Sequence, residues 1–492
     1  WFSHYRHQTD IMSEKSNNDR RTFDRKEFLR VSGLAGVAGA GLLAGCSAQG
    51  AARQEDQASR PAGGQRTNMN GYAAPALDVV RVGVIGLGSR GSGTLRRFTR
   101  VEGVEIRAIN DLEADRVERN QAWLRENAPS HTPRGYSGSE NAWKQLCEQE
   151  DLDLILINTP WHLHTPQAVY AMEHGKHAGV EVPAAVTLEE CWQLVETSEN
   201  TRKHCMMLSN SCYGDFQLTL LNMVRQGYFG EIIHGEGAYI HDLLRTHLFN
   251  KNQYHNMWRL RENIGRDGNL YPTHGLGPVA QMMDLNHGDQ MDYMVSVSSR
   301  DFTMNNAVKE LAEGDRYFNS WIDADFRGNM NTSVIRTRRG RTIMLQHDVT
   351  SPRPGVRFDL LSGTRGIAVA RPPRIATSHD GWLPEEEFQS LMDEYRPEII
   401  SRMGELAREV GGHGGIDALM TWRMIDCLRN GLPLDMDVYD AALWSSIAPL
   451  SEISVADEGR SIDVPDFTRG AWETNVRGMD IGLTKGGNTQ MV

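Results

Sequence analysis

The chain has 492 residues, 39% hydrophobic and 24% charged, enough for more than one domain and ordinary for a globular protein. Its formal net charge of −12 leaves no basic surplus to neutralise phosphates and argues against nucleic acid as a partner. Six cysteines without CxxC or Cys/His ligand spacing argue against a structural zinc and a disulfide framework.

Residues 1–11 read as sequence upstream of a start at Met12. A charged stretch, Asp19 to Arg30, precedes a Gly/Ala-rich apolar run from Val31 to Gly45. That run is too short and too weakly apolar for a membrane span and suits the core of a signal peptide. "LLAGC", Leu42 to Cys46, resembles the lipobox of bacterial lipoproteins, which implies lipidation of Cys46. The basic part resembles a twin-arginine export signal, with Arg20-Arg21 or Arg25-Lys26 in register. Together these imply an exported protein, lipid-anchored at a bacterial membrane and facing the periplasm or exterior. Residues 47–76, rich in Gly, Ala, Gln and Ser, read as a flexible tether.

From residue 77 the texture changes. "VRVGVIG", "VEIRAIND", "DLDLILINTP", "HAGVEVP" and "HCMMLSN" are apolar runs separated by helical patterns. Strands alternating with helices predict an α/β, doubly wound parallel sheet over residues 77–208. After about residue 209 the alternation stops. Strands with charged turns, such as "NTSVIRTRRGRTIMLQHD", predict an α+β domain over 209–492 with an open, mainly antiparallel sheet.

"GVIGLGSRGSG" supplies Gly86-x-Gly88-x-x-Gly91. The loop follows a strand, opens a helix, and meets an acid, Asp111, after the next strand. That context is a dinucleotide fingerprint. Asp111 can accept from ribose hydroxyls and repels a 2′-phosphate, which favours NAD over NADP; Arg90 can bridge phosphate. The "WHLH" pair, His162 and His164, lacks a third ligand, so no metal is expected. The glycines of "GGHGGID" either bring His413 to a ligand or form only a turn.

With that fingerprint, "NTPWHLHTPQAVYAMEHGKHAGVEVP" resembles the Gfo/Idh/MocA oxidoreductase superfamily. In many of its sugar dehydrogenases the Glu-x-Pro turn carries a proton-handling lysine; here it is Glu181-Val182-Pro183. The valine, with "YPTHGLGP", "HDVTSPRP" and "GGHGGID", resembles glycoside hydrolase family 109, NAD-dependent α-N-acetylgalactosaminidases. The resemblance implies cofactor contacts at Ser89, Arg90, Asp111, Trp161, His162, Leu163, His164, Glu181, Val182, Asn210 and Tyr271. It implies sugar contacts at Tyr239, Arg259, Tyr271, Pro272, Thr273 and His274. A further tyrosine expected after "SPRP" is Gly355 here. The superfamily's open sheet often meets a second copy, so a homo-oligomer is among the expectations.

The implied reaction is oxidation at sugar C3, loss of the C2 proton, elimination of the glycosidic bond, addition of water at C1 and return of the hydride. NAD is recycled and should be held tightly. Because valine carries no proton, the proton work falls to His274 at the C3 hydroxyl and to Tyr271 or Tyr213 at C2. The rival readings are a plain NAD-dependent sugar dehydrogenase and a non-catalytic, lipid-anchored sugar-binding protein.

Overall fold

The computed structural model describes residues 67–492; the expected signal, Cys46 and residues 47–66 of the tether lie outside the described residues. From Thr67 the tether stretch is not free. Met69 is buried, its N–H donates to the Tyr439 hydroxyl (3.2 Å), and Asn68 bonds Asn475 (2.7 Å).

β1 (Val80–Ile85), β2 (Val104–Asn110), β3 (Arg134–Tyr136), β4 (Leu154–Ile157), β5 (His177–Val180) and β6 (Cys205–Met207) form one sheet in the order β3-β2-β1-β4-β5-β6. Every pair in it is parallel. Burial on both faces explains why β4 is apolar throughout and why β5 is apolar after His177. The strand order reverses between β1 and β4, and there the loops after the two strands open a crevice. The doubly wound parallel sheet expected from the sequence is present.

The second sheet holds β7 (Ile232–Ile240), β8 (Met291–Ser298), β9 (Asn331–Thr337), β10 (Thr342–Asp348), β11 (Val356–Gly363), β12 (Gly366–Ala370), β13 (Pro373–Ala376) and β14 (Ile462–Asp463). Its order is β13-β12-β11-β7-β10-β9-β8-β14, and the β7/β10 pair alone is parallel. Among the described residues no helix is long and apolar enough to cross a membrane.

Two packing details place the site. Helix Thr273–Met282 lies directly on β7: a Cβ on Gly275 would sit 2.3 Å from the Ala238 nitrogen, and one on Gly237 would sit 2.3 Å from the Gly275 carbonyl oxygen. Backbone contact at that crossing brings His274 against Tyr239. Helix Ile416–Asn430, although late in the chain, packs on helix Ser89–Phe98 and β1. Its first turn therefore reaches the glycine loop.

Candidate active site

The chain leaves β1 at Gly86, whose φ of +85° suits glycine. A Cβ on Gly86 would sit 2.7 Å from the Asn158 carbonyl oxygen, and one on Gly91 only 1.7 Å from the Gly86 carbonyl oxygen. At Gly88 the nearest atom to a Cβ would be Arg116 Nη1, 4.0 Å away. The first and third glycines thus allow the turn and the close helix, while the second leaves open space over backbone N–H groups. That is the shape a diphosphate needs, and Ser89 lies exposed at the helix start. Asp111 accepts from the Leu87 N–H (2.7 Å) and the Glu113 N–H (3.0 Å), with Arg116 at 3.4 Å. The side-chain amide of Asn158, at the end of β4, is buried with both polar atoms unpaired. The residues present fit a dinucleotide.

Beside this loop sits a charge cluster centred on Asp417, whose side chain is 1% exposed. Arg90 donates two hydrogen bonds to its carboxylate (2.8 and 3.1 Å) and a third to Glu181 (2.5 Å). Asn210 donates to the same carboxylate at 2.6 Å, and His413 Nδ1 lies 2.7 Å from it. Burial alone would raise the Asp417 pKa, but the His413 hydrogen bond and the Arg90 charge hold it well below the usual carboxylate range. Arg90, read as a phosphate bridge, is held by two carboxylates instead. The loop around His413 is turn and site element at once: residues 411–415 all have positive φ.

Across the crevice lies an aromatic and basic cluster. Trp161 stacks on Tyr271 at 5.3 Å between ring centroids; Tyr239 meets Tyr271 edge-on at 4.5 Å and His274 at 5.7 Å. The buried guanidinium of Arg259 is 4.8 Å from the Tyr271 ring centroid and donates to the Tyr254 hydroxyl at 2.9 Å. Pro272 caps the helix that carries Thr273 and His274, and Thr273 Oγ1 and His274 Nδ1 are buried without partners. Burial, then the Arg357 and Arg90 charges, pushes His274 well below the usual imidazole range, so its ring is neutral. Burial pushes Tyr271 up, and the Arg259 charge opposes it.

Several expected residues take other places. The Tyr213 hydroxyl is fully buried and donates to Asp435 (3.0 Å), which also receives Arg423 (3.2 Å). Its hydroxyl is committed to Asp435 and it has no ring contact with the Trp161, Tyr239, Tyr271 and His274 cluster, so Tyr213 is a core hydrogen-bond donor. His164 places its ring nitrogens on the carbonyls of Pro183 (2.7 Å) and Thr159 (2.8 Å), pinning the turn around the cis Val182-Pro183 bond. Burial pushes its pKa down, and the neutral ring donates to one of these two carbonyls. His162 is half-exposed, 3.8 Å from Glu262, and Leu163 ends the short turn at the crevice rim. Val182 is buried.

His287, Asp437 and Asp440 cluster closely enough to hold a cation. Both carboxylates, however, close the capping box of helix Val438–Ala456, and His287 lies 3.4 Å from Asp440. Burial lowers the His287 pKa, but Asp440 more than offsets it and raises it to about 9. The trio is accounted for as a cap and an ion pair.

Fold and site define a Rossmann-type enzyme in which a dinucleotide loop faces a buried aromatic and basic cluster. Residues 80–209 match the family "Oxidoreductase family, NAD-binding Rossmann fold", and residues 213–474 match "Glycosyl hydrolase 109, C-terminal domain". A glycosyl hydrolase family 109 protein of Shewanella putrefaciens is 44% identical over 91% of this chain and 97% of its own. Another, of Shewanella amazonensis, is 46% identical over 92% and 97%. A Shewanella oneidensis protein named alpha-N-acetylgalactosaminidase is 43% identical over 91% and 97%. The chain belongs to glycosyl hydrolase family 109. Among solved structures, levoglucosan dehydrogenase in complex with NADH shares the fold, with a TM-score of 0.58 at 15% identity over 79% of this chain and 99% of that one.

Proposed function

We propose that this glycosidase removes terminal N-acetylgalactosamine by oxidation at C3, elimination, hydration and re-reduction, with NAD retained and recycled. The observation that carries this is a neutral, buried histidine with an unpaired ring nitrogen beside a tyrosine, on a helix facing the dinucleotide loop. Bound NAD supplies reversible hydride acceptance at C3 and leaves the sugar unchanged in oxidation state.

Gly88, Ser89 and Asp111 hold the cofactor's diphosphate and ribose. His274 accepts the proton of the C3 hydroxyl, the task lysine performs elsewhere and Val182 does not. Tyr271 removes the C2 proton; its hydroxyl needs positive charge nearby, and Arg259 supplies part of it. Asp417 fixes His413 through Nδ1, so Nε2 is the atom left for proton exchange with the leaving oxygen. His413 is half-exposed on its glycine loop, as a group that must trade protons with water should be.

Export and lipid anchoring at Cys46 remain part of the proposal, and they suit a recycled cofactor, which needs no outside supply. The test is hydrolysis of nitrophenyl α-N-acetylgalactosaminide by purified protein without added NAD. Release of sugar, one equivalent of NAD per chain on denaturation, and no NADH build-up support the reading. Activity that needs added NAD and accumulates NADH overturns it.

A further inference from the structure

A cleft of about 450 Å³ opens beside the sugar-facing cluster. Its walls come from residues 211–217, 357–373 and Ile416, and none from the glycine loop or the Rossmann strands. Arg357 marks its inner end: the guanidinium is 5.9 Å from the ring centroid of Tyr239, and its charge is felt at His274. Arg371, exposed, marks its outer end. Phe216 and Phe358, 6.4 Å apart, line it between them.

The lining holds two guanidinium groups and no carboxylate. Neither Arg357 nor Arg371 has an ion-pair partner among the described residues, and Arg357 Nε is buried with no hydrogen bond. In a chain of net charge −12, two unpaired arginines on one apolar cleft are a conspicuous imbalance. By contrast, Arg90 and Arg259 of the site are held by carboxylate and phenol oxygens.

We infer that this cleft is the leaving-group subsite and that it selects an aglycone carrying an anionic group, a carboxylate or a sulfate, for Arg357 and Arg371. The inference rests on the glycosidase reading above. The cleft takes no wall from the glycine loop and reaches the sugar-facing cluster through Arg357, beside Tyr239, so a leaving group released from a sugar held at that cluster would have this space to enter. An anionic ring fits that cleft in two ways: the aromatic and proline walls take its apolar face, and the guanidinium forks take its oxygens.

The test compares three α-N-acetylgalactosaminides that differ only in the second sugar: galactose, galacturonate and galactose 6-sulfate. The full chain should cleave at least one anionic substrate with kcat/KM about tenfold above the neutral one, and the ratio should fall as salt rises. The charged substrate that wins separates carboxylate from sulfate. R371Q, and separately R357Q, should bring the ratio close to one, with folding confirmed by the melting temperature of each variant. Equal kcat/KM for all three with wild type, or a preference that survives both substitutions, overturns the inference and leaves the glycosidase reading standing. Cleavage of none of the three overturns both.

Discussion

Asp417→Asn removes one charge from the middle of the site and keeps its shape. In the wild type, a carboxylate 1% exposed receives Arg90 at 2.8 and 3.1 Å, Asn210 at 2.6 Å and His413 at 2.7 Å. Removing one partner of a buried ion pair costs roughly 3–5 kcal/mol. Arg90 keeps Glu181 and its side chain is 29% exposed, so the lower end, about 3 kcal/mol, applies. For a body of roughly 400 residues that corresponds to a melting point lower by about 3–4 °C. The Asp417 pKa is depressed, so its stabilisation is present above the ordinary carboxylate value and lost as pH falls towards the lower folded one. The gap between wild type and variant should therefore be constant from pH 5 to 8 and narrow only below about pH 4. Turnover should fall about a hundredfold, since Asn210, His413 and Arg90 lose a common anchor. Thermal melting across pH and kcat/KM on a nitrophenyl substrate measure both effects. A variant that melts with wild type and turns over at the wild-type rate would refute the assignment of Asp417 as the anchor.

The other predictions concern the proton carriers, the turn valine and the anchor. His274→Gln should lower kcat by a factor of about 10² to 10⁴, and because burial pushes His274 well below the ordinary imidazole range, wild-type kcat/KM should show no limb from this group at the ordinary imidazole position of about pH 6.5. A limb near pH 6.5 that vanishes in the variant would contradict this. Tyr213→Phe should cost about 1–2 kcal/mol of stability and leave C2 deuterium exchange intact, whereas Tyr271→Phe should abolish exchange; both are read by NMR. Val182→Lys should yield no net NADH production, because proton transfer belongs to the opposite wall; sustained NADH build-up would move that role back to the turn. Cys46→Ser should shift the expressed protein from the membrane to the soluble fraction, and continued membrane association would remove the lipid anchor from the account.

Local features were legible in the sequence. The glycine loop is readable because its geometry is set by three nearby residues and an adjacent strand, and Gly86 and Gly91 tolerate no side chain. The parallel sheet is readable from β4, apolar at every position, and from β5, apolar after His177, because helices cover both faces. Other features depend on tertiary contacts. Arg90 meets Asp417 across most of the chain, and no spacing rule joins them. The single parallel pair, β7 with β10, was hidden because strand direction leaves no mark on composition. Tyr213 was one of two tyrosines expected at C2, and its place was set by a tertiary partner. A single turn, Asn210–Tyr213, sends Asn210 to Asp417 and Tyr213 to Asp435, in different networks. The resemblance implied a cofactor contact at His164; its ring nitrogens lie against two backbone carbonyls that only the fold brings together.

The measurement closest to the central claim is hydrolysis of nitrophenyl α-N-acetylgalactosaminide in deuterated water without added NAD, with the released sugar examined by NMR. The account predicts nitrophenol release with deuterium at C2, because His274 and Tyr271 act on C3 and C2 before the bond breaks. Release with hydrogen retained at C2 would contradict it, since bond cleavage would then proceed without removal of that proton.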